Sequence, residues 1–420
     1  MKYKSMVFRI MGVLLMIVLN YSCNNSAKKN IASHFKDIDP QKIESDVREL
    51  CSLENNPITI HVGNLEKKQT VKLSTQFDSI TFVKLSNEKN ALIGNINKIV
   101  IRDSCFYILD RYKTKSIKKF TFEGNYIATI GILGSGPKEY IEPTDFNVCE
   151  NEIVVYDQFK SDFKYYDLDG NFKFAKQLPF LFLKFSKISP NHYIFHSLDS
   201  DNDHLATIVN YSIFESDSTF KLRNRGFYRM KNKYENFISE NNFFPQNEKV
   251  WYHPPFNDTI YSIGSDNSFQ TEYVMDFQGR KLPEVFLLKE NYRERQKAID
   301  TDNYVFFPGD YVPTKDYLYF NFSIEHVMYQ GLYSRQTKEC VIGNGFYNDI
   351  NYIFQYSNII SSMDDNVLVG YMQSYLVDEV FSQHSMEKWS GIIGKTNAQI
   401  AGSIKSEDNP ILLFFHIKNF

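Results

Sequence analysis

The apolar positions of this chain follow two regimes. Near the start they form one uncharged run, Ile10 to Leu19. From Asn24 to about Pro57 the chain is polar, and only Ile43 to Leu50 has a helical spacing. Beyond residue 57 short apolar runs alternate with turn residues, the mark of β-strands. Two consecutive stretches repeat. One runs from Asn95-Ile-Asn-Lys through Cys105-Phe-Tyr-Ile-Leu-Asp110 to Ser116 and Glu123-Gly124. The other runs from Asp145-Phe-Asn-Val through Ile153-Val-Val-Tyr-Asp157 to Phe163 and Asp169-Gly170. Each reads as strand, turn, strand ending in Asp, loop, strand, and an Xaa-Gly hairpin into a fourth strand. The two aspartates lie 47 residues apart. Four strands at a period in the forties predict propeller blades.

Four more central strands are expected, at His192 to Phe195, Val250 to Tyr252, Tyr317 to Phe320 and Val367 to Tyr371. With the two clear units they make six blades. Helical insertions are expected over Glu284 to Asp300 and about Ser374 to Lys405. The last segment, Pro410 to Lys418, is too short for a blade. Pairing it with a strand from the N-terminal end of the domain would close the ring and leave no open edge.

The basic start (Lys2, Lys4, Arg9) and the apolar run read as a signal peptide, since about ten residues is half of what a membrane-crossing helix needs. Ser22-Cys23 resembles the lipobox of bacterial lipoproteins. That resemblance implies cleavage before Cys23 and lipid on it, with an ordinary secretory peptide as the other reading. The expected organisation is signal peptide over 1–22, lipidated cysteine and polar tether over 23–57, and an all-β six-bladed propeller with small helical insertions over 58–420. Removing three basic residues from 47 Lys+Arg leaves 44 against 50 Asp+Glu. A negative chain with no basic block argues against nucleic acid and anionic membrane as partners. Aromatics at 16% and scarce alanine favour strands. Cys51, Cys105, Cys149 and Cys340 show neither a disulfide framework nor a metal spacing.

Gly131-Ile-Leu-Gly134-Ser-Gly136-Pro137, with Pro143 beyond it, resembles the blade connection of NHL-type propellers. More specifically, the chain is similar to the six-bladed β-propeller lipoproteins of Bacteroidetes. Phe82 to Leu85, Leu92-Ile-Gly94, Pro255 to Tyr261 and Glu407 to Leu413 carry the same likeness. The resemblance implies an envelope protein. The residues after Cys23 tilt its anchor toward the periplasmic face of the outer membrane rather than the cell surface.

Candidate chemistry is sparse. Gly131 to Gly136 is followed by Pro137 and a strand, not by the helix N-terminus that a phosphate loop needs. Gly394-Lys395-Thr396 lacks the leading glycine of a Walker motif. Asp199, Asp201 and Asp203 open like a calcium loop, but His204 and Asn210 stand where it needs glycine and glutamate. His192 and His196 share a strand face and could join His204 or His253, yet no metal motif appears, and no metal or cofactor is expected. Asp110 and Asp157, repeated in two blades, read as turn-stabilising. His253 beside Asp258, with His196, are the weak candidates for ligand binding; no catalytic residue is assigned. The expectation is a monomeric, non-enzymatic protein, held to the membrane through Cys23, that binds a protein, peptide or glycan. The alternative is a lyase or hydrolase of a polysaccharide or envelope polymer with its site at the channel.

Overall fold

The computed structural model describes residues 35–63, 65, 70–197, 200, 202–229, 242–246, 249–254, 257–283, 294, 297, 304–352, 358–363 and 366–420. Six antiparallel four-stranded sheets form the blades of a propeller. The first is Lys98–Arg102, Cys105–Asp110, Ser116–Thr121 and Tyr126–Ile130. The second is Pro143–Val148, Ile153–Asp157, Asp162–Tyr166 and Phe172–Gln177. The third is Lys184–Ser189, His192–His196, Tyr211–Ser216 and Leu222–Tyr228. The fourth is Phe243–Gln246, Lys249–Tyr252, Thr259–Ile263 and Ser268–Asp276. The fifth is Phe306–Pro313, Tyr317–Ile324, Val327–Ser334 and Cys340–Gly343. The sixth is Asn358–Met363, Val367–Met372, Ile411–Ile417 and Phe77–Lys84.

All four central strands expected from the sequence are second strands of their blades. Both faces of a second strand pack against neighbours, so Ile153–Asp157 is buried throughout and reads as a continuous apolar run. Among the described residues, six apolar clusters fill the six seams between blades. The seam between the second and third blades shows why the chain is rich in rings. Tyr156 stacks on Phe182 at 3.9 Å, and Phe163 lies 4.5 Å from Phe185. Each such buried ring contributes roughly 2–3 kcal/mol from surface removal alone.

The ring closes as expected. Ile411–Ile417 pairs antiparallel with Phe77–Lys84, Leu413 opposite Phe82, so the last blade takes its outer strand from the start of the domain. The insertion in that blade is three helices, Ser374–Phe381, Met386–Ile393 and Lys395–Gly402. Trp389 is buried among them, and its Nε1–H donates to Phe381 O at 2.8 Å. The insertion expected at Glu284 to Asp300 lies almost wholly outside the described residues.

The polar segment before the ring departs from expectation. Its helix is one turn, Pro40–Ile43, capped by Asp39, in place of the Ile43–Leu50 helix. From Arg48 onward the expected tether is a belt around the rim. Arg48–Glu49 pairs parallel with Leu222–Tyr228. Cys51–Ser52 and Ile58–His61 pair parallel with Ser268–Asp276, and Thr70–Lys72 pairs with Gly345–Tyr347 beside the fifth blade. Backbone groups make these contacts, so a polar sequence can cover an edge without an apolar signature. Leu50 is the anchor. It is buried between the third and fourth blades, against Gly226, where a Cβ would sit 2.7 Å from Leu50 Cδ1.

Candidate functional site

Each blade begins at the channel, and in a propeller all innermost strands run the same way. Loops therefore sort onto two faces. The face where innermost strands begin, called the top here, receives the connections between blades, the loops between second and third strands, and the three helices. The bottom receives the remaining hairpin turns.

The channel encloses about 2060 Å³ and is lined by innermost strands of the first, second, third, fourth and sixth blades. Neighbouring innermost strands are bridged by side chains. Lys98 Nζ donates to Asp145 Oδ1 at 2.6 Å and to Phe146 O at 2.7 Å, linking the first blade to the second. Asp145 Oδ2 accepts from Phe185 N at 2.9 Å, and Asn147 Oδ1 accepts from Lys187 N at 2.8 Å, linking the second to the third. Lys187 Nζ meets Glu152 Oε1 at 2.5 Å. Burial alone would lower the Lys187 pKa, but its hydrogen bond to Glu152 and neighbouring charges raise it overall. Asp145 and Glu152 are thus each held by a cation, an arrangement that fixes strand spacing.

This lattice is not among the features expected from the sequence. A usable signal existed, because Lys98 and Asp145 are separated by 47 residues, the same interval as Asp110 and Asp157. Those two aspartates act as expected at turns. Asp110 Oδ2 accepts from Gly94 N at 2.7 Å and Thr114 N at 3.0 Å, and Oδ1 from Lys113 N at 3.0 Å. Asp157 accepts from Ile141 N at 2.6 Å and Phe159 N at 3.0 Å. Burial raises the Asp157 pKa, partly offset by those amides.

The top mouth has its own character. Arg111 Nε and Lys115 Nζ share Glu142, at 3.0 and 3.2 Å, with Lys113 exposed beside them and Lys184 also on the lining. Exposed apolar side chains stand on the same face: Tyr112, Phe159, Ile141, and, outward along the connection between blades, Ile132 and Leu133. Arg111 Nη2 reaches Gln158 Oε1 at 3.4 Å, and Lys160 Nζ donates to Gly136 O and Glu139 O at 2.6 Å each, so the two loops and the connection are tied together. Ile132 is 67% exposed. Among the described residues the bottom turns, including those at 103–104, 122–125, 149–152, 167–171, 190–191, 217–221, 264–267, 314–316 and 335–339, expose no large apolar side chain.

The three weak candidates do not converge on an open site. His196 is fully buried toward the fourth blade, 5.8 Å from the Phe243 ring and 5.3 Å from Tyr252. Burial, then Lys184 and Arg229, hold its pKa well below the usual value. His253 is buried toward the fifth blade, with Nε2 2.8 Å from Asn257 O and its ring 4.4 Å from Phe307. Burial lowers it to about 4, partly opposed by Asn257 and Asp258. Asp258 lies close by but pairs with Lys281 Nζ at 3.0 Å. His192 faces Glu215 at 3.4 Å, and His204 meets Pro179 O at 2.8 Å. Asp199, Asp201 and Cys23 lie outside the described residues. Cys51, Cys105, Cys149 and Cys340 are free thiols. Among the described residues no three His, Cys, Asp or Glu side chains are grouped to hold a metal, and no helix is long and apolar enough to cross a membrane.

Residues 57–416 match a domain of unknown function, DUF4934. The chain belongs to the DUF4934 family. No curated protein is recognisably similar to it in sequence. Among solved structures, a Bacteroides fragilis protein assigned as exported superposes with a TM-score of 0.67 at 21% identity, over 87% of this DUF4934 chain and 100% of its own. A DUF4221-family protein of Bacteroides vulgatus gives 0.43 at 10% identity, over 81% and 97%. A streptogramin B lyase gives 0.36 at 11%, over 72% and 83%. At these identities the likeness is one of fold, and only the first is close enough to bear on it.

Proposed function

We propose that this protein is an extracytoplasmic, lipid-anchored propeller that binds a protein, peptide or glycan on its top face, at and around the mouth of the channel. The observation that carries this reading is the contrast between faces. Tyr112, Ile132, Leu133, Ile141 and Phe159 stand exposed in top loops, while among the described residues the short bottom turns expose no large apolar group. Exposed apolar surface costs solubility unless a partner covers it, and loops on a rigid ring suit recognition. The N-terminal apolar run and Cys23 support envelope anchoring. The test is a photocrosslinking residue placed at Tyr112 or, on the bottom, at Asp169, in the full chain expressed in its native envelope. Discrete adducts are expected from position 112 alone; equal labelling from both positions would overturn the face assignment. Replacing Cys23 by Ala should release the chain from membranes, and full membrane retention would sink the lipid anchor.

A further inference from the structure

Going beyond that reading while resting on its lipid anchor, we propose that the outer part of the top patch, Ile132, Leu133, Ile141 and Phe159, docks on the bilayer that holds the lipid. The ring then leans on the rim of its first two blades and leaves the channel mouth, with Tyr112, to the ligand. The four side chains are exposed and lie off the channel lining, whereas Tyr112 is part of it. Where the chain leaves the ring gives the first argument. The described residues begin at Phe35, which is buried with its ring stacked on His204 at 4.4 Å and 9°. His204 belongs to the top loop between the second and third strands of the third blade, and its Nε2 lies 2.8 Å from Pro179 O in the connection from the second blade. Beside Pro179, Leu178 N donates to Ser161 O at 2.8 Å and Gln177 Nε2 to Lys160 O at 2.9 Å. Lys160 and Ser161 share their loop with Phe159, so an unbroken series of contacts leads from the point of exit to the patch. Glu44 fixes the following segment to the same top loop, accepting from Thr207 N and Oγ1 at 2.7 Å each.

Length and chemistry select the bilayer. Twelve residues separate Cys23 from Phe35, and at roughly 3.3–3.6 Å per residue they reach about 43 Å at most, whatever their path. Lipid on Cys23 therefore keeps this sector of the rim within that distance of the membrane, at a high effective concentration, where even a weak contact stays formed. A single acyl chain holds a protein only marginally, and a second apolar contact makes the attachment firm. Clustered aliphatic and aromatic side chains suit the boundary between acyl chains and headgroups. Charges in the same loops are turned onto backbone: Glu139 Oε2 accepts from Gly136 N at 2.8 Å, and Lys160 Nζ donates to Gly136 O and Glu139 O. Lys138 is exposed in the same connection, and a lysine stem lying along apolar surface leaves its amine at the headgroups. The contact is thus apolar, and the negative charge of the chain does not oppose docking on a bilayer without net charge.

The experiment reconstitutes the full lipidated chain into phosphatidylcholine vesicles, with or without bromine on the acyl chains, and reads tryptophan emission from Ile132→Trp or, on the bottom, Asp169→Trp. The two native tryptophans, Trp251 and Trp389, are buried and give a common background. Emission from position 132 is expected to shift to the blue and to be lost to brominated lipid, while emission from position 169 stays unchanged. Adding Leu133→Ser and Phe159→Ser to Ile132→Trp is expected to remove most of that loss. These positions are exposed, and circular dichroism and the thermal midpoint report whether each variant is folded. Equal quenching from both positions, or quenching that the serine variant retains in full, would overturn the proposal. A chain that floats with the vesicles yet is quenched at neither position would overturn the docking and leave the anchor standing, with a protein partner then covering the patch. A chain that does not float would overturn anchor and docking together. The crosslinks from position 112 decide the ligand reading separately.

Discussion

The first two blades and the next three solve the same problem at their top ends in different ways. In the first and second blades the second strand ends in an aspartate, and the carboxylates of Asp110 and Asp157 gather the amides of two loops each. In the third and fourth blades the second strand runs out at His196 and Tyr252-His253, and polar groups are buried there without that reciprocity. Both ring nitrogens of His196, the side-chain amide of Asn242, Nδ1 of His253 and the Tyr311 hydroxyl have no hydrogen-bond partner among the described residues. Each buried unpaired group costs roughly 1–3 kcal/mol. Among the described residues the first two blades leave Asp162 Oδ1 and the Tyr166 hydroxyl unpaired, so the unpaired groups gather mainly in the third to fifth blades, and it is the third and fourth blades whose outer edges the belt covers through Arg48–Glu49, Cys51–Ser52 and Ile58–His61.

The largest expected effect comes from removing a latch in the first two blades. Asp157→Ala strands the amides of Ile141, Phe159 and Lys160 in a part-buried corner and should cost roughly 3–5 kcal/mol, read as a lower denaturant midpoint. Asp157→Asn keeps one acceptor oxygen and should fall between Ala and wild type. A loss below about 1 kcal/mol for the Ala variant would remove the contrast between the two regions.

Acid should act on the third to fifth blades. The His253 pKa is lowered, so its neutral form favours the fold. The stability it contributes is fully present above the unfolded value near 6.5 and is lost as pH falls toward about 4. Burial of the ring makes the full shift count, worth about 3 kcal/mol across that window. His196 acts with the same sign. Asp157 and Asp162, raised by burial, act with the opposite sign: they are penalised when charged, and protonation at the acid end relieves them. Thermal midpoints measured from pH 7 to pH 4 should fall, and His253→Gln, which cannot take up a proton in this range, should flatten the fall. An unchanged slope in that variant would remove His253 from the account.

The same contrast explains what could be read from the sequence. The latch motif is local and repeated, Leu109-Asp110 echoed by Tyr156-Asp157, so the first two blades and their period were legible. The second strands of the other four blades were found by apolar content alone, because burial on both faces leaves a continuous run. The belt was illegible, since its pairing is made by backbone and its sequence is polar. The mouth was illegible for another reason. Arg111, Glu142 and Lys184 come from three separate blades, and only ring geometry brings them together. His253 and Asp258 looked like acid–base chemistry because adjacency along the chain is visible, whereas the burial of one and the pairing of the other with Lys281 are not.

The smallest effect is also the most discriminating. His196 sits between the Phe243 and Tyr252 rings with both nitrogens unpaired, so an aromatic of similar shape without polar atoms should fit the same space. His196→Phe removes two desolvated nitrogens and adds a slightly larger ring, and these terms nearly cancel. A change within about 1 kcal/mol of wild type, on the stabilising side if the seam admits the extra volume, is expected from equilibrium unfolding. An apolar replacement is harmless only where the imidazole serves nothing else. A loss above about 2 kcal/mol would mean that the imidazole nitrogens are engaged in the folded protein, and the contrast between the two regions would then lose its clearest member.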